Sequence, residues 1–241
     1  MTREGLWGFF RRVSHIHFVG GEKGGVGKSL VARLLSQWFI DREAPFAGVD
    51  ADTSHATLMR TYGGYAQAAD LEDYASADEI VNRALAAERS VVVDLPAQSR
   101  RALERWLDSA DIVRFARESG IRLTLWHVSD GSVDSVKDLT RTLDMGQGAF
   151  EIVVVKNHGR GKDFSYFDES EAPRRLGERG ARVVDLPELD LPTMTRIDRL
   201  NASLWAAVNQ PEGEQALTPM QRQRARLWLE RCYQALAPAL G

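Results

Sequence analysis

The sequence lacks the features that mark several classes of protein. It has one cysteine, Cys232, so no internal disulfide can form, which indicates a reducing compartment. No apolar run approaches the roughly 20 residues that a membrane-spanning helix needs, and Gly5, Gly8, Arg11 and Arg12 interrupt any signal-peptide pattern. The net charge of −3 gives no overall attraction to nucleic acid. We therefore expect a cytoplasmic protein without a stable membrane anchor.

Two further absences narrow the chemistry. The five histidines have no metal-ligand spacing with one another or with acidic or cysteine partners, which argues against a transition-metal site. No Asn-Lys-x-Asp motif for guanine is present, because the segment NHGR at 157–160 lacks the acid of that motif. A GTPase is therefore disfavoured.

Short apolar, β-branched runs alternate along the chain with stretches of helical apolar spacing. Strands are predicted at 15–20, 45–50, 90–95, 122–128, 150–156 and 182–186. Helices are predicted at 30–41, 77–88, 101–119, 132–144 and 218–236. The apolar runs are continuous, which indicates strands covered on both faces. The pattern predicts an α/β fold, an open, mostly parallel twisted sheet with helices on both faces in three α/β/α layers. We expect one domain over 1–241, with 1–14 as an N-terminal extension and 217–241 as a C-terminal helix.

A glycine-rich segment, GEKGGVGKS at 21–29, follows the first predicted strand and precedes a helix. Its end matches the phosphate-loop pattern G-x-x-x-x-G-K-[ST], although Glu22 stands where that pattern has its first glycine. Such a loop points backbone N–H groups at an anion, and the following helix adds its positive end. Lys28 can reach the β- and γ-phosphates, and the hydroxyl of Ser29 can bind Mg²⁺. The residues predicted to bind the nucleotide here are Gly21, Glu22, Gly24, Gly25, Val26, Gly27, Ser29 and Leu30.

Acidic residues follow two predicted strands. Asp50 and Asp52 come after the second strand, and Asp94 ends the apolar run VVVD at 91–94. In an open parallel sheet the carboxyl ends of the strands form the ligand-binding edge, so these carboxylates are expected at that edge. An alternative is local, because Asp52, Thr53 or Ser54 could cap a helix over 55–60.

The heptapeptide KGGVGKS at 23–29 resembles the deviant Walker A motif of the ParA/MinD-type ATPases, which are P-loop NTPases of the SIMIBI class. The Asp-x-Asp pair at 50–52 and Asp94-Leu95-Pro96 also match that family. The resemblance implies binding of ATP or ADP with Mg²⁺, which Ser29, Asp50 and Asp94 would hold. It implies catalytic roles for Lys28, for Asp52 and for Lys23, which would reach the phosphates of a partner subunit.

The same resemblance places the adenine base near Asn157, which follows a strand, and near Pro187, which follows the last short strand. It implies slow ATP hydrolysis and a dimerisation switch, in which a homodimer forms when ATP binds. The implied setting is plasmid or DNA partition, mobilisation or cargo positioning. The segment 55–62, the loop near Arg160 and the run QRQR at 221–224 look like the accessory ATPases of plasmid mobilisation and conjugal transfer.

Several interpretations stay open from the sequence. A partner or adaptor protein is expected, and nonspecific DNA is a further candidate partner. The arginines that could bind DNA, or that could form a solvated helix face instead, are Arg222, Arg224, Arg226 and Arg231. The loop 157–164 could bind an anion or a partner, or be a mobile surface loop. The chain could instead be a nucleotide-binding adaptor with little hydrolysis, or an ATP-dependent small-molecule enzyme such as dethiobiotin synthetase, which has the same loop type.

Overall fold

The computed structural model of the chain describes residues 14–87, 89–144, 148, 150–210 and 216–240. Apart from residue 14, the expected N-terminal extension lies outside the described residues. The strands are β1 (His15–Gly20), β2 (Phe46–Asp50), β3 (Ala66–Ala68), β4 (Ser90–Asp94), β5 (Arg122–Ser129), β6 (Glu151–Asn157) and β7 (Arg182–Leu186). The helices are α1 (Lys28–Asp41), α2 (Thr57–Tyr62), α3 (Tyr74–Ala87), α4 (Arg100–Ser109), α5 (Ile112–Glu118), α6 (Val133–Asp144), α7 (Ser165–Glu169), α8 (Ala172–Glu178), α9 (Leu191–Arg199), α10 (Leu204–Asn209) and α11 (Pro219–Leu240).

The seven strands form one sheet in the order β3-β2-β4-β1-β5-β6-β7. Every neighbouring pair is parallel. Because each crossover returns the chain to the same end of the sheet, the carboxyl ends of all strands share one edge. β1 lies between β4 and β5, so the loop that follows β1 sits at the middle of that edge.

Helices cover both faces of the sheet, as the continuous apolar runs predict. Successive side chains of a strand point to opposite faces, and both sets are buried here. Ile16 and Phe18 pack into a core with Trp106 on one face, whereas Val19 packs on the other face with Trp228 of α11. The predicted three-layer α/β/α fold is confirmed.

Two predicted helix features need correction. The helix predicted at 101–119 is two helices, α4 and α5, because Asp111 adopts a left-handed conformation with φ of 48° that breaks the helical path. The helix predicted at 55–60 begins later, as α2 at Thr57, and no side chain caps it. Its N-cap residue is Ala56, with φ of 46°, so neither Asp52 nor its neighbours cap this helix.

The local sequence pattern predicts two helix ends correctly but misses one short strand. β3 is three residues long and is not among the predicted strands, because so short an edge strand has no apolar periodicity. The predicted helix end at 119 agrees with the structure, where Gly120 follows α5 with a left-handed φ of 71°. The predicted start at 218 also agrees, since the Thr218 hydroxyl accepts from the Gln221 N–H and caps α11. Within the described ranges, no helix combines the length and apolar character needed to cross a membrane.

Candidate functional site

The loop between β1 and α1 is shaped by glycines in conformations that other residues rarely adopt. Gly21, Gly25 and Gly27 have φ values of 135°, 77° and 102°. No side chain caps the start of α1, so its first N–H groups remain free to bind an anion. A side chain at Gly27 would also place its Cβ 2.3 Å from Nδ2 of Asn157, so this glycine allows β6 to approach the loop closely.

Lys28, the first residue of α1, is buried with its ammonium turned toward the loop. Its Nζ donates to the carbonyl oxygen of Lys23 at 2.9 Å. Burial lowers the pKa of Lys28, while the carboxylates of Asp94 and Asp52 oppose that shift. The residue also lines the cavity above the loop. A buried ammonium beside free backbone N–H groups suits a strongly anionic ligand such as a polyphosphate.

Asp94 at the end of β4 is fully buried, with 0% of its surface exposed. Neither oxygen of its carboxylate has a hydrogen-bond partner among the described residues. Burial raises its pKa to about 7 against the opposing effect of the Ser29 hydroxyl, and the carboxylates of Asp50 and Asp52 raise it further. A buried carboxylate with free oxygens, next to a hydroxyl and other carboxylates, has the donor chemistry that Mg²⁺ prefers.

Asp50 and Asp52 differ in environment although they are two residues apart. Asp50 is buried and accepts backbone hydrogen bonds from Asp52 at 3.2 Å and Met59 at 3.0 Å, and its burial raises its pKa. Asp52 lines the cavity. Partial burial would raise its pKa, but hydrogen bonds from Ser54 and His55 lower it overall. Asp52 is therefore the carboxylate that stays ionised at the cavity surface.

Glu22, the departure from the phosphate-loop pattern, connects the loop to the segment after β4. Its side-chain Oε1 accepts from the N–H of Arg100, the first residue of α4, at 2.9 Å. Its carbonyl oxygen accepts from the N–H of Gln98 at 3.3 Å, and its own N–H donates to Asp138 at 2.7 Å. Glu22 thus fixes the position of the 96–100 segment against the loop, a contact that glycine could not make with a side chain.

Lys23, expected to act on a partner subunit, is held within its own chain. Its Nζ donates to Oδ2 of Asp130 at 2.6 Å and to Oγ of Ser132 at 2.8 Å. Asp130 and Ser132 are not among the predicted site residues, although Asp130 is one of the polar residues expected at the carboxyl ends of the strands. Their position after β5, the neighbour of β1, is the signal that could have indicated them.

A cavity of about 400 Å³ lies above the loop and is rich in positive charge. Asp198 is one of two aspartates in its wall and pairs with Arg33 at 2.9 Å. The other is Asp52. The cationic lysine and arginine side chains in its wall are those of Lys28, Arg33, Arg60 and Arg160. Arg160 belongs to the loop 157–164, a candidate anion-binding loop in the sequence. Arg33 and Arg60 were not predicted, because they lie on separate elements that only the fold brings together.

A second cavity of about 110 Å³ adjoins the first and brings together the two residues predicted to contact a base. Asn157 and Pro187 both line it, and the indole N–H of Trp228 donates to the carbonyl oxygen of Pro187 at 2.8 Å. The Asn157 side chain is buried, donates from Nδ2 to the Val26 carbonyl oxygen at 2.8 Å and accepts from the Gly159 N–H at 3.1 Å. In this structure its amide therefore anchors the loop, and its contact with adenine stays a prediction.

Apart from Lys23, Asn157 and Pro187, the predicted site residues fall into three groups. Seven of them line the larger cavity directly: Gly24, Gly25, Gly27, Lys28, Ser29, Leu30 and Asp52. Asp50, Asp94 and Val26 are buried and do not line the larger cavity. Gly21 and Glu22 line a small separate cavity on the side of α4. The roles of all these residues toward a ligand stay predictions.

No protein-family model matches the chain. Two curated relatives match nearly its whole length. Protein MobD from Acidithiobacillus ferrooxidans is 27% identical over 221 residues, which cover 89% of this chain and 96% of MobD. Protein TraL from Escherichia coli is 25% identical over 232 residues, which cover 89% of this chain and 94% of TraL.

Solved structures share the fold at low sequence identity. The cell division protein MinD from Aquifex aeolicus is 14% identical with a TM-score of 0.52, and the match covers 90% of this chain and 97% of MinD. McdA from Cyanothece is 17% identical with a TM-score of 0.52 over 95% and 99% of the two chains. A nucleotide-binding protein in complex with ADP from Archaeoglobus fulgidus is 15% identical with a TM-score of 0.51 over 79% and 87%. The chain therefore has the P-loop fold of the ParA/MinD-type ATPases that its KGGVGKS motif resembles.

Proposed function

We propose that this protein is a Mg²⁺-dependent ATPase that works as an ATP-driven dimerisation switch in plasmid mobilisation or transfer. The observation that carries the proposal is the loop at 21–29. It presents free N–H groups and the buried ammonium of Lys28 to a cationic cavity. The neighbouring strand β4 ends in the buried carboxylate of Asp94, which has no hydrogen-bond partner among the described residues. This combination of groups suits a polyphosphate bound together with a hard cation.

Each residue has a distinct role in the proposed reaction. The loop N–H groups and Lys28 bind the β- and γ-phosphates. Ser29, Asp50 and Asp94 hold Mg²⁺, which neutralises phosphate charge when it is bound. Asp52 is ionised and lines the cavity, so it can orient the attacking water and accept its proton.

Lys23 supplies the switch in this proposal. In the described chain its ammonium is paired with Asp130 and Ser132. For Lys23 to reach the phosphates of a second copy, it must leave these partners. Dimer formation would then exchange an ion pair within one chain for contacts between a lysine and the partner's phosphates. ATP offers the additional γ-phosphate charge for that exchange and ADP does not.

The comparisons support the proposal. The Archaeoglobus fulgidus protein with the same fold was solved with ADP. The names MobD and TraL agree with the mobilisation and transfer setting that the sequence resemblance implies.

The direct test combines nucleotide binding with molecular mass. Light scattering should show a dimer with Mg²⁺ and a nonhydrolysable ATP analogue, and a monomer with Mg²⁺ and ADP. Lys23→Ala should still bind both nucleotides but remain a monomer. Lys162→Ala is a matched control, because it removes a lysine from an exposed loop outside the larger cavity. Absence of nucleotide binding by the wild-type protein at millimolar concentrations would refute the proposal.

Phosphate release separates the alternatives. Asp52→Asn keeps a hydrogen-bond acceptor for Ser54 but removes the charge, so hydrolysis should fall while nucleotide binding persists. Equal phosphate release by the variant and the wild type would favour an adaptor with little hydrolysis. Normal dimerisation and activity of Lys23→Ala would instead favour a small-molecule enzyme with the same loop type.

A further inference from the structure

We propose that Arg160 binds the nucleotide within its own subunit, at the phosphate nearest the ribose, an inference that rests on the proposed nucleotide function. Arg160 belongs to the loop after β6, whose sequence is compatible with either an anion-binding loop or a mobile surface loop. Its position, its charge and the way its loop is held all favour the first interpretation.

Arg160 stands at the junction of the two cavities. It lines the larger cavity above the phosphate loop and also the smaller cavity beside Asn157 and Pro187. Its Cγ lies 3.8 Å from the point where a Cβ on Gly27 would be, so the stem of the side chain rests on the phosphate loop. A nucleotide with its terminal phosphates in the loop and its base in the smaller cavity must pass this junction with its first phosphate and its ribose.

The guanidinium of Arg160 is free to take a ligand. It forms no hydrogen bond or ion pair with any residue that the structure describes. The other two basic residues of this loop already have partners, since Lys162 pairs with Glu188 and the His158 ring forms a hydrogen bond with Asp185. Arg160 is thus the one residue among the basic residues of 158–162 whose side chain has no partner among the described residues.

The backbone around Arg160 is fixed by close packing. The N–H groups of Arg160 and Gly161 both donate to the carbonyl oxygen of Asn157 at 3.0 Å. Gly161 lies so close to Asp130 that a Cβ there would be 1.8 Å from the Asp130 carbonyl oxygen. The Cα of Arg160 is therefore held between the loops that follow β5 and β6, which limits the entropy lost when its side chain binds.

An arginine suits this position because its planar guanidinium donates two parallel hydrogen bonds to a phosphate. Lys28 in the phosphate loop would serve the terminal phosphates, whereas Arg160 lines both cavities at their junction. Both ADP and ATP carry the phosphate nearest the ribose. The contribution of Arg160 should therefore be the same for the two nucleotides, unlike that of Lys23.

Titration calorimetry with Mg²⁺ and ADP, and separately with Mg²⁺ and a nonhydrolysable ATP analogue, tests the inference. Arg160→Ala should weaken the binding of both nucleotides by a similar factor of about tenfold. This factor is the lower end of the range for a hydrogen bond to a charged group, as suits a partly exposed site. Arg160→Lys should recover part of the loss, because it restores the charge without the paired donors. Lys162→Ala should bind both ligands like the wild type, and the unfolding midpoint of Arg160→Ala without ligand should be unchanged.

Three results would overturn the inference. Arg160→Ala could bind ADP as tightly as the wild type. It could lose affinity for the ATP analogue alone, which would place Arg160 at the γ-phosphate or the dimer interface. Lys162→Ala could show the same loss, which would indicate a general effect of loop charge. If the wild-type protein binds neither nucleotide, the proposed function itself fails, which is distinguishable from all three.

Discussion

Replacing Asp94 with asparagine should stabilise the nucleotide-free protein while removing its response to magnesium and nucleotide. The carboxylate is fully buried without a hydrogen-bond partner among the described residues. Asparagine has nearly the same shape as the protonated side chain, so the change removes the charge and little else. A group that the site holds for a ligand is expected to destabilise the protein when the ligand is absent.

The magnitude and its pH dependence follow from the raised pKa. Burial raises the pKa of Asp94 to about 7, above the value of roughly 3.9 expected in the unfolded chain. The folded state therefore binds the proton more tightly, and stability falls as the pH rises from about 4 to 7. Ionised Asp94 destabilises the folded state by about 4 kcal/mol at pH 8. The advantage of Asp94→Asn over the wild type should grow by about 3 kcal/mol between pH 5 and pH 8.

Urea unfolding in EDTA at the two pH values measures this difference directly, because other titrating groups are common to both proteins and cancel. Asp108→Asn, an exposed change on α4, serves as the control and should show no growing advantage. Mg²⁺ with ADP should raise the unfolding midpoint of the wild type but not of Asp94→Asn. An advantage of Asp94→Asn that is absent, or equal at both pH values, would refute the reasoning.

Two further predictions concern packing and acid stability. Gly161→Ala should destabilise the protein by about 1–3 kcal/mol in urea unfolding, because its Cβ would overlap the Asp130 carbonyl oxygen. Gly177→Ala is the control, since Gly177 has open space around it in α8, and this change should be neutral or stabilising. Equal effects of the two changes would contradict the packing explanation. Burial lowers the pKa of His15 to about 4 and that of His17 well below its usual value, so the unfolded chain binds more protons below pH 6.5. His15 should therefore lower stability by about 2 kcal/mol between pH 7 and pH 5, against the opposite contribution of Asp94. The difference between the wild type and His15→Gln isolates this loss, and an equal pH dependence of the two proteins would show that the His15 ring is not held neutral.

The sequence alone determined the class of fold and the place of the phosphate loop. Apolar runs such as VVVD at 91–94 are continuous because both faces of the sheet are covered, and this pattern survives in one dimension. The loop at 21–29 is equally local, since the left-handed conformations of Gly25 and Gly27 need glycine whatever surrounds them. The strand ends that carry Asp50 and Asp94 were predicted for the same reason.

Contacts between distant segments were decided only by the tertiary structure. The sequence gives no sign that Lys23 pairs with Asp130, 107 residues away, or that Asn157 holds the Val26 carbonyl oxygen. These contacts exist because parallel crossovers bring the loops after β1, β5 and β6 to one edge of the sheet. The break at Asp111 and the short strand β3 were also missed, since packing rather than local composition sets them. Sequence periodicity reports which face of an element is buried, whereas the identity of the residues that meet across the site depends on how the elements are joined.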